Sequence, residues 1–364
     1  MSDKFRIDSH KLIFHPQRVS QWLQSYGEWE REKRIYPIYM EVSPYGGCNH
    51  RCTFCGVDYM GYKSIKLDLK IYQQRIQEMA KLGIKSIMFA GEGEPLLHKE
   101  LPLMVEDTKK AGVDVGITTN FVLANGENLP LILEYSSWVK VSINAGESSS
   151  YAKIHRTKEA DFQKVLQNFE IALEIRGKKG FACTLGAQML LLPQNYKEAL
   201  ILAQRLKNIG VDYLVIKPYS QHLFSKTREY ANLKYEEFLF LQEQLESLNS
   251  ERFNVIFRAE TMKKMQESTQ SYQKCYSTPY FWGYIASNGD VYGCSCYLGQ
   301  EKFAYGNINQ QSFQEIWEGD RRKENALFIQ KELDISKCRV NCRMDFVNRY
   351  LWELKHPNPH SNFI

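Results

Sequence analysis

The chain has 364 residues, 43% of them hydrophobic, and a formal net charge of +5 at pH 7. This length and apolar content suit one large domain, or a large domain with a small one. The charge is small for the length and long Lys/Arg runs are absent from the sequence, which argues against a nucleic-acid-binding surface but is compatible with a small anionic ligand. No apolar stretch has the pattern of a signal peptide or the length of a membrane span, so we expect a cytoplasmic protein with no membrane partner.

The nine cysteines fall mainly into two groups, and this grouping favours metal ligation over disulfide bonds. Thiols stay reduced in the cytosol, where disulfides are rare. Cys183 stands alone near a predicted strand, and we expect it in the core. The first group is Cys48, Cys52 and Cys55, and the second is Cys275, Cys294, Cys296, Cys338 and Cys342.

The elements before the second cysteine group alternate between strand and helix. Residues 1–37 mix aromatic and charged side chains and predict a helical cap. Within residues 38–222, Asp68 is expected to cap a helix that ends at Gly83. Six alternations with short connections predict parallel strands with right-handed crossovers, hence an α/β fold. The predicted strands are 38–42, 84–90, 113–118, 138–143, 184–191 and 213–216.

The segment Tyr45–Gly56 places three thiols within eight residues, and its Cys-x3-Cys-x2-Cys spacing favours a loop wrapped around one metal centre. Thiolates bind zinc or iron–sulfur clusters, both of which usually take four protein ligands. No fourth cysteine follows nearby in the sequence, so a cluster here would keep one iron open to a substrate or cofactor. A zinc site with His50 as fourth ligand is the alternative, although His50 lies between the cysteines instead of at a finger-type offset.

With the aromatic Phe54 directly before its last cysteine, this loop resembles the signature loop of the radical S-adenosylmethionine (radical SAM) enzymes. The resemblance implies a [4Fe–4S] cluster on Cys48, Cys52 and Cys55 whose open iron is chelated by SAM, and a partial (β/α)6 barrel as the fold. It also implies that one electron, from an external donor such as flavodoxin or ferredoxin, cleaves SAM to a 5'-deoxyadenosyl radical, which abstracts hydrogen from a substrate.

The same resemblance assigns cofactor contacts to residues that follow the predicted strands, where ligands collect in parallel barrels. Residues 91–95, Gly-Glu-Gly-Glu-Pro, are similar to the glycine/glutamate motif that receives the SAM ammonium group. An ordinary turn, a surface arginine and structural polar groups are the alternatives for individual members. The implied cofactor-binding set is Phe54, Gly91, Gly93, Glu94, Pro95, Asn120, Ser142, Asn144, Arg156 and Gln188, and Lys217 is a further polar residue at a strand end.

Residues 223–364 hold the second cysteine group, and past residue 220 we expect the alternation to stop, with a helix over 235–248. Asn288-Gly289 predicts a hairpin between the first two cysteines of the group. A zinc ribbon usually has two residues between the members of each pair, which this spacing lacks. The arrangement looks like the short "twitch" form of the auxiliary-cluster extension of radical SAM enzymes, because the thiols that the longer SPASM form uses for a second cluster are missing. The resemblance implies a small C-terminal domain of a hairpin plus helices with one auxiliary [4Fe–4S] cluster, bound by Cys275, Cys294, Cys338 and Cys342.

Together these features predict an enzyme that dehydrogenates a secondary alcohol of a small polyol, amino sugar or nucleotide sugar. A fully ligated auxiliary cluster accepts an electron but does not anchor a substrate. The extra thiol of Cys296 supports a second hypothesis, an epimerase of a sugar or peptide in which Cys296 returns a hydrogen atom, while a buried hydrophobic role for Cys296 has equal weight. Modification of a ribosomally made peptide is a third hypothesis, against which the short N-terminus argues. A non-catalytic iron–sulfur or zinc protein would not need the polar residues at the strand ends.

Overall fold

The structure, a computed structural model, describes residues 5–266 and 270–363. The strands of this part of the chain form one sheet, with the order β10-β9-β8-β1-β2-β3-β4-β5-β6-β7 for strands numbered along the chain. Their bounds are β1 Tyr39–Val42, β2 Ser86–Phe89, β3 Asp114–Thr119, β4 Trp138–Ser142, β5 Thr184–Leu191, β6 Tyr213–Pro218, β7 Asn254–Phe257, β8 Trp282–Ile285, β9 Asp290–Tyr292 and β10 Ala304–Asn307.

The first six strands are parallel neighbours that alternate with helices, so the predicted partial (β/α)6 barrel is confirmed. Asp68 caps α3 as predicted, accepting a hydrogen bond from the Ile71 N–H at 3.0 Å. Within the described residues, no helix combines the length and apolar character that crossing a bilayer requires. The helices are α1 Pro16–Ser25, α2 Trp29–Glu32, α3 Leu69–Lys81, α4 Leu101–Lys110, α5 Leu129–Tyr135, α6 Ser148–His155, α7 Glu159–Lys179, α8 Ala199–Ile209, α9 Leu241–Glu246, α10 Ala259–Lys264, α11 Phe313–Glu318, α12 Asp320–Lys331 and α13 Asp345–Lys355.

The expectation that the alternation stops after residue 220 is wrong. β7 pairs in parallel with β6, from Tyr213 opposite Asn254 to Ile216 opposite Phe257, and adds a seventh strand to the barrel. A four-residue apolar run does not by itself distinguish a strand from other buried segments, and β7 is defined by its pairing with a distant strand. The helix expected over 235–248 is also shorter, with a 3-10 turn before α9.

The C-terminal region joins the same sheet at its other end. β8 pairs in parallel with β1, and β8 and β9 form the predicted antiparallel hairpin around Asn288-Gly289. Gly289 has a φ of +90°, which glycine adopts without strain. The N-terminal helices pack on this region, where the buried Trp22 of α1 contacts Tyr276 with ring centroids 5.5 Å apart. One continuous sheet therefore carries both cysteine groups.

Aromatic rings fill the barrel at the amino ends of its strands. A Cβ at Gly116 would collide with the Trp138 ring, and a Cβ at Gly186 would collide with the Tyr213 ring, so these glycines leave the space that the rings occupy. Phe5 covers Tyr213, with ring centroids 5.0 Å apart. The interior is therefore approached from the carboxyl ends of the strands, where the cysteine loop lies.

Candidate active site

The cysteine loop follows β1 and is held by backbone hydrogen bonds. The Arg51 N–H donates to the His155 carbonyl at 3.1 Å and the Thr53 N–H to the Ile154 carbonyl at 2.9 Å, so the loop is fixed to the end of α6. The thiols of Cys48, Cys52 and Cys55 are all free. Burial, with the neighbouring Cys55 and Cys48, holds the pKa of Cys52 well above its usual value.

The turn over residues 91–95 lies directly against this loop. The Glu94 N–H donates to the Gly47 carbonyl at 2.8 Å. A Cβ at Gly93 would collide with that same carbonyl, and Gly91 has a φ of +126° with Ser43 close to its Cα, so both positions require glycine. Pro95 is the first residue of a 3-10 turn that follows. The two segments predicted to hold SAM are therefore in contact.

Glu94 is a buried carboxylate whose hydrogen bonds shape the site. It accepts from the Asn120 N–H at 2.7 Å, from the Leu96 N–H at 3.0 Å and from the Thr119 hydroxyl, and thereby ties the end of β3 to the turn. Burial raises its pKa, and these hydrogen bonds oppose the shift. The Asn120 side chain reaches the cysteine loop, where it donates to Asn49 Oδ1 at 2.7 Å.

Of the remaining residues predicted to bind SAM, Ser142 and Gln188 are neighbours in register on β4 and β5. The Asn144 side chain is already engaged, because its Oδ1 accepts from the Leu190 N–H at 2.7 Å and its Nδ2 lies 3.2 Å from His155 Nε2. Arg156 is exposed after α6. Asn144 is linked to the cysteine loop through His155, whereas Arg156 lies at the surface.

His155, which no sequence motif indicated, contacts a candidate cluster ligand. Its Nδ1 lies 3.4 Å from Cys52 Sγ, and its Nε2 accepts a hydrogen bond from the Asn144 backbone N–H at 3.3 Å. Burial and the adjacent His50 hold the pKa of His155 well below its usual value, so the ring is neutral. Because Nε2 is an acceptor, the proton lies on Nδ1 and is donated to the Cys52 sulfur. No spacing rule relates residues 52 and 155, so only the fold reveals this contact.

Glu92, also missed, connects the turn to the C-terminal region. Its buried carboxylate accepts from the Ser287 N–H at 3.1 Å and from the Ser287 hydroxyl at 2.9 Å, at the end of β8. Its own N–H donates to Ser43 Oγ at 3.2 Å. The two cysteine groups are therefore joined by a direct polar contact as well as by the sheet.

All five cysteines of the second group line one cavity in the C-terminal region. Asn348 orders its edge, because Asn348 Oδ1 accepts from the Tyr276 and Ser277 N–H groups at 2.8 Å each and Nδ2 donates to Cys275 Sγ at 3.4 Å. Burial raises the pKa of Cys338 to about 12. The thiols come from the loop before β8, the segment after β9 and the segment before α13.

Cys296 lies inside this thiol group. Its side chain is buried and contacts the thiols of Cys294 and Cys342. The contact with Cys294 is the main reason that the pKa of Cys296 is well above its usual value. The structure therefore brings a fifth thiol to the four that were predicted as ligands.

The partial parallel barrel has a loop with three free thiols at its mouth, and a second cavity lined by thiols lies in the C-terminal region of the same sheet. These two thiol sites define an iron–sulfur protein. Residues 42–214 match the model of the Radical SAM superfamily, and residues 275–343 match that of the SPASM iron–sulfur cluster-binding domain. The chain belongs to the radical SAM superfamily and carries a C-terminal domain of the SPASM type, as the sequence motifs predicted. Its cofactors are SAM, a [4Fe–4S] cluster and an auxiliary iron–sulfur cluster.

Similar proteins have different activities. The chain is 22% identical over 301 residues to the tungsten-containing aldehyde ferredoxin oxidoreductase cofactor-modifying protein of Pyrococcus furiosus, covering 78% of this chain and 81% of that protein. It is 27% identical over 192 residues to the GTP 3',8-cyclase of Chlorobaculum tepidum, covering 52% of this chain and 56% of the cyclase. Streptococcus suis SuiB bound to S-adenosylmethionine shares the fold, with a TM-score of 0.62, 17% identity and coverage of 79% of this chain and 66% of SuiB.

The residues present fit the cofactors. Three reduced thiols share one loop, and burial keeps the pKa of all three above the usual value, so their thiolates need a metal partner to be stable. His50, Cys52 and His155 also place ligand atoms within 4.8 Å of one another, the kind of group that a zinc ion would use. Such an ion would take Cys52 away from Cys48 and Cys55, whereas the radical SAM domain implies a [4Fe–4S] cluster.

Proposed function

We propose that this enzyme dehydrogenates a secondary alcohol of a small polyol, amino sugar or nucleotide sugar held in the barrel interior. The observation that supports this most is the convergence of five thiols on the auxiliary cavity. With five cysteines available, every iron of a four-iron cluster has a protein ligand, so the cluster is suited to accept an electron and not to anchor a substrate.

Bound SAM and its cluster supply the group that abstracts hydrogen, and the auxiliary cluster supplies the electron acceptor. The alcohol carbon loses a hydrogen atom and then an electron, the hydroxyl group loses its proton to water, and a C=O bond forms. The residues around the cofactor hold it in position. Cys48, Cys52 and Cys55 hold the cluster, the turn over 91–95 fixes the loop, and Ser142 lies beside Gln188 on the inner wall.

On this proposal residues 38–222 bind SAM, residues 223–364 bind the auxiliary cluster and residues 1–37 brace the second region through Trp22. The names of two relatives, a cofactor-modifying protein and a GTP cyclase, support a small-molecule substrate. Peptide modification is the second candidate, supported by the likeness to SuiB, which has been described with its precursor peptide SuiA.

The test is turnover in deuterated water by the reconstituted, dithionite-reduced enzyme with SAM and a panel of polyols, amino sugars, nucleotide sugars and peptides. We expect 5'-deoxyadenosine and a product two mass units lighter than its substrate, and we expect Cys296→Ala to retain turnover because Cys296 is not needed as a hydrogen donor. A product of unchanged oxidation level with one deuterium at carbon would contradict dehydrogenation. If Cys296→Ala then stalled while still forming 5'-deoxyadenosine, Cys296 would be the hydrogen donor of an epimerase.

A further inference from the structure

The concave face of the barrel carries lysines on two strands. Val139 and Val141 of β4 pack in the core under the helices, so Lys140 between them faces the interior. Ile216 of β6 belongs to the same core, so Lys217 next to it also faces inward. These lysines lie beyond the aromatic rings that fill the amino end, on the approach from the cysteine loop.

Three arginines share this space with the lysines. Arg258 follows β7, where its backbone N–H donates to the Ile216 carbonyl at 3.0 Å, while Arg339 and Arg343 come from the C-terminal region. Burial is the largest cause that holds the pKa of Lys217 well below its usual value, and the charges of Lys140, Arg258, Arg343 and Arg339 all add to it. Two lysines and three arginines are therefore close enough to influence one another electrostatically.

Fewer carboxylates than basic side chains are found at this place. Glu41 Oε1 lies 2.5 Å from Arg343 Nε, and Asp8 Oδ1 lies 3.0 Å from Arg258 Nε. Within residues 5–266 and 270–363, the side-chain ammonium groups of Lys140 and Lys217 make no hydrogen bond or ion pair. The Lys140 ammonium group lies 5.4 Å from the centroid of the Trp138 ring. The interior thus has an excess of positive charge, which is costly to leave uncompensated.

We infer that the barrel interior binds a small molecule that carries phosphate groups, held by Lys140 and Lys217. The inference rests on the proposed function, in which this interior holds the substrate, and it narrows the substrate to a phosphorylated or nucleotide-linked compound. A phosphate monoester carries a charge of about −1.5 to −2 at neutral pH, so it compensates two cations at once, whereas a single carboxylate compensates one. The rings of Trp138 and Tyr213 fill the space beside Gly116 and Gly186, so they close the amino end of the barrel below the two lysines.

Binding of inorganic pyrophosphate to the reconstituted, SAM-loaded enzyme tests this, measured by anaerobic isothermal titration calorimetry. We expect wild type to bind pyrophosphate, and Lys140→Met and Lys217→Met each to weaken binding at least tenfold. The matched control is Lys178→Met, which removes an α7 lysine that is 73% exposed. Lys217→Arg keeps the charge and is expected to retain most of the binding. Equal binding by wild type and both interior variants, or no binding by wild type, would overturn the inference.

Thermal unfolding separates ligand binding from a structural role. Removal of an unpaired cation relieves repulsion from its neighbours, so Lys217→Met is expected to raise the apparent Tm of the ligand-free enzyme by about 2–4 °C. A lysine that only supports the fold would lower the Tm when replaced. Failure of the proposed function gives a different result, because the dithionite-reduced wild type would then form no product two mass units lighter from any alcohol of the panel, whether or not pyrophosphate binds.

Discussion

The two cysteine groups both bring several thiols together, but they differ in how far apart in the sequence those thiols lie. The first places Cys48, Cys52 and Cys55 on one loop, and backbone hydrogen bonds to the end of α6 fix that loop. The second gathers thiols from residues 275 to 342 into one cavity through the packing of β8, β9 and α13. A local site is set by spacing, whereas a dispersed site depends on the tertiary fold. The first group should therefore tolerate changes in distant packing better than the second.

The largest expected effect comes from removing the first group entirely. In Cys48/Cys52/Cys55→Ala, reductive SAM cleavage should be abolished and the iron content should fall to about half, because the auxiliary cavity uses other thiols. Anaerobic iron and sulfide analysis with 5'-deoxyadenosine quantification checks this. The matched control is Cys183→Ala, since Cys183 is buried in the core away from both groups and should keep its iron. Loss of all the iron, or of none, in the triple variant would show that the two sites are not independent.

A single substitution at the contact between turn and loop should have the next largest effect. Gly93→Val forces a side chain into the Gly47 carbonyl, so the loop must move and SAM binding should weaken at least tenfold. Equilibrium binding of SAM to the reconstituted enzyme measures this. Gly126→Val is the matched control, because nothing lies within 4 Å of a Cβ built at that glycine. Unchanged SAM affinity in Gly93→Val would mean that the turn does not shape the cofactor site.

The smallest expected effect is a shift in the reduction potential of each cluster when one N–H donor to its sulfur is removed. His155 Nδ1 donates to Cys52 Sγ and Asn348 Nδ2 donates to Cys275 Sγ, each with 3.4 Å between nitrogen and sulfur. A donor on a cluster sulfur stabilises the reduced, more negative cluster, so its removal lowers the reduction potential. His155→Phe should make the potential of the first cluster more negative and leave the auxiliary cluster unchanged, and Asn348→Leu should do the reverse.

Redox titration followed by electron paramagnetic resonance measures both potentials, and each variant is the control for the other. A shift of both clusters in either variant would indicate a general change of structure. Absence of a shift in His155→Phe would mean that the ring only fills space beside Cys52.

Features that lie in short segments of the chain could be predicted from the sequence, and features formed by distant residues could not. The Cys loop, the turn over 91–95 and the Asn288-Gly289 hairpin were found because their chemistry lies in short segments with fixed spacing. His155, Glu92 and the position of Cys296 beside Cys342 were not found, since each depends on contacts between residues far apart in the chain. β7 was missed for the same reason, because its apolar residues become a strand only through pairing with β6.

The pairing of β8 with β1 has a consequence for protein engineering. Glu41 lies opposite Tyr284 in that pairing, so the strand that leads into the SAM site and the strand that leads into the auxiliary site are hydrogen-bonded neighbours. A chimera that exchanges the auxiliary module at residue 223 would also exchange β7 and β8 and expose both barrel edges to mismatched partners. A graft that begins after Ile285 keeps both edge strands native, and it needs only a serine at position 287 to retain the contact with Glu92.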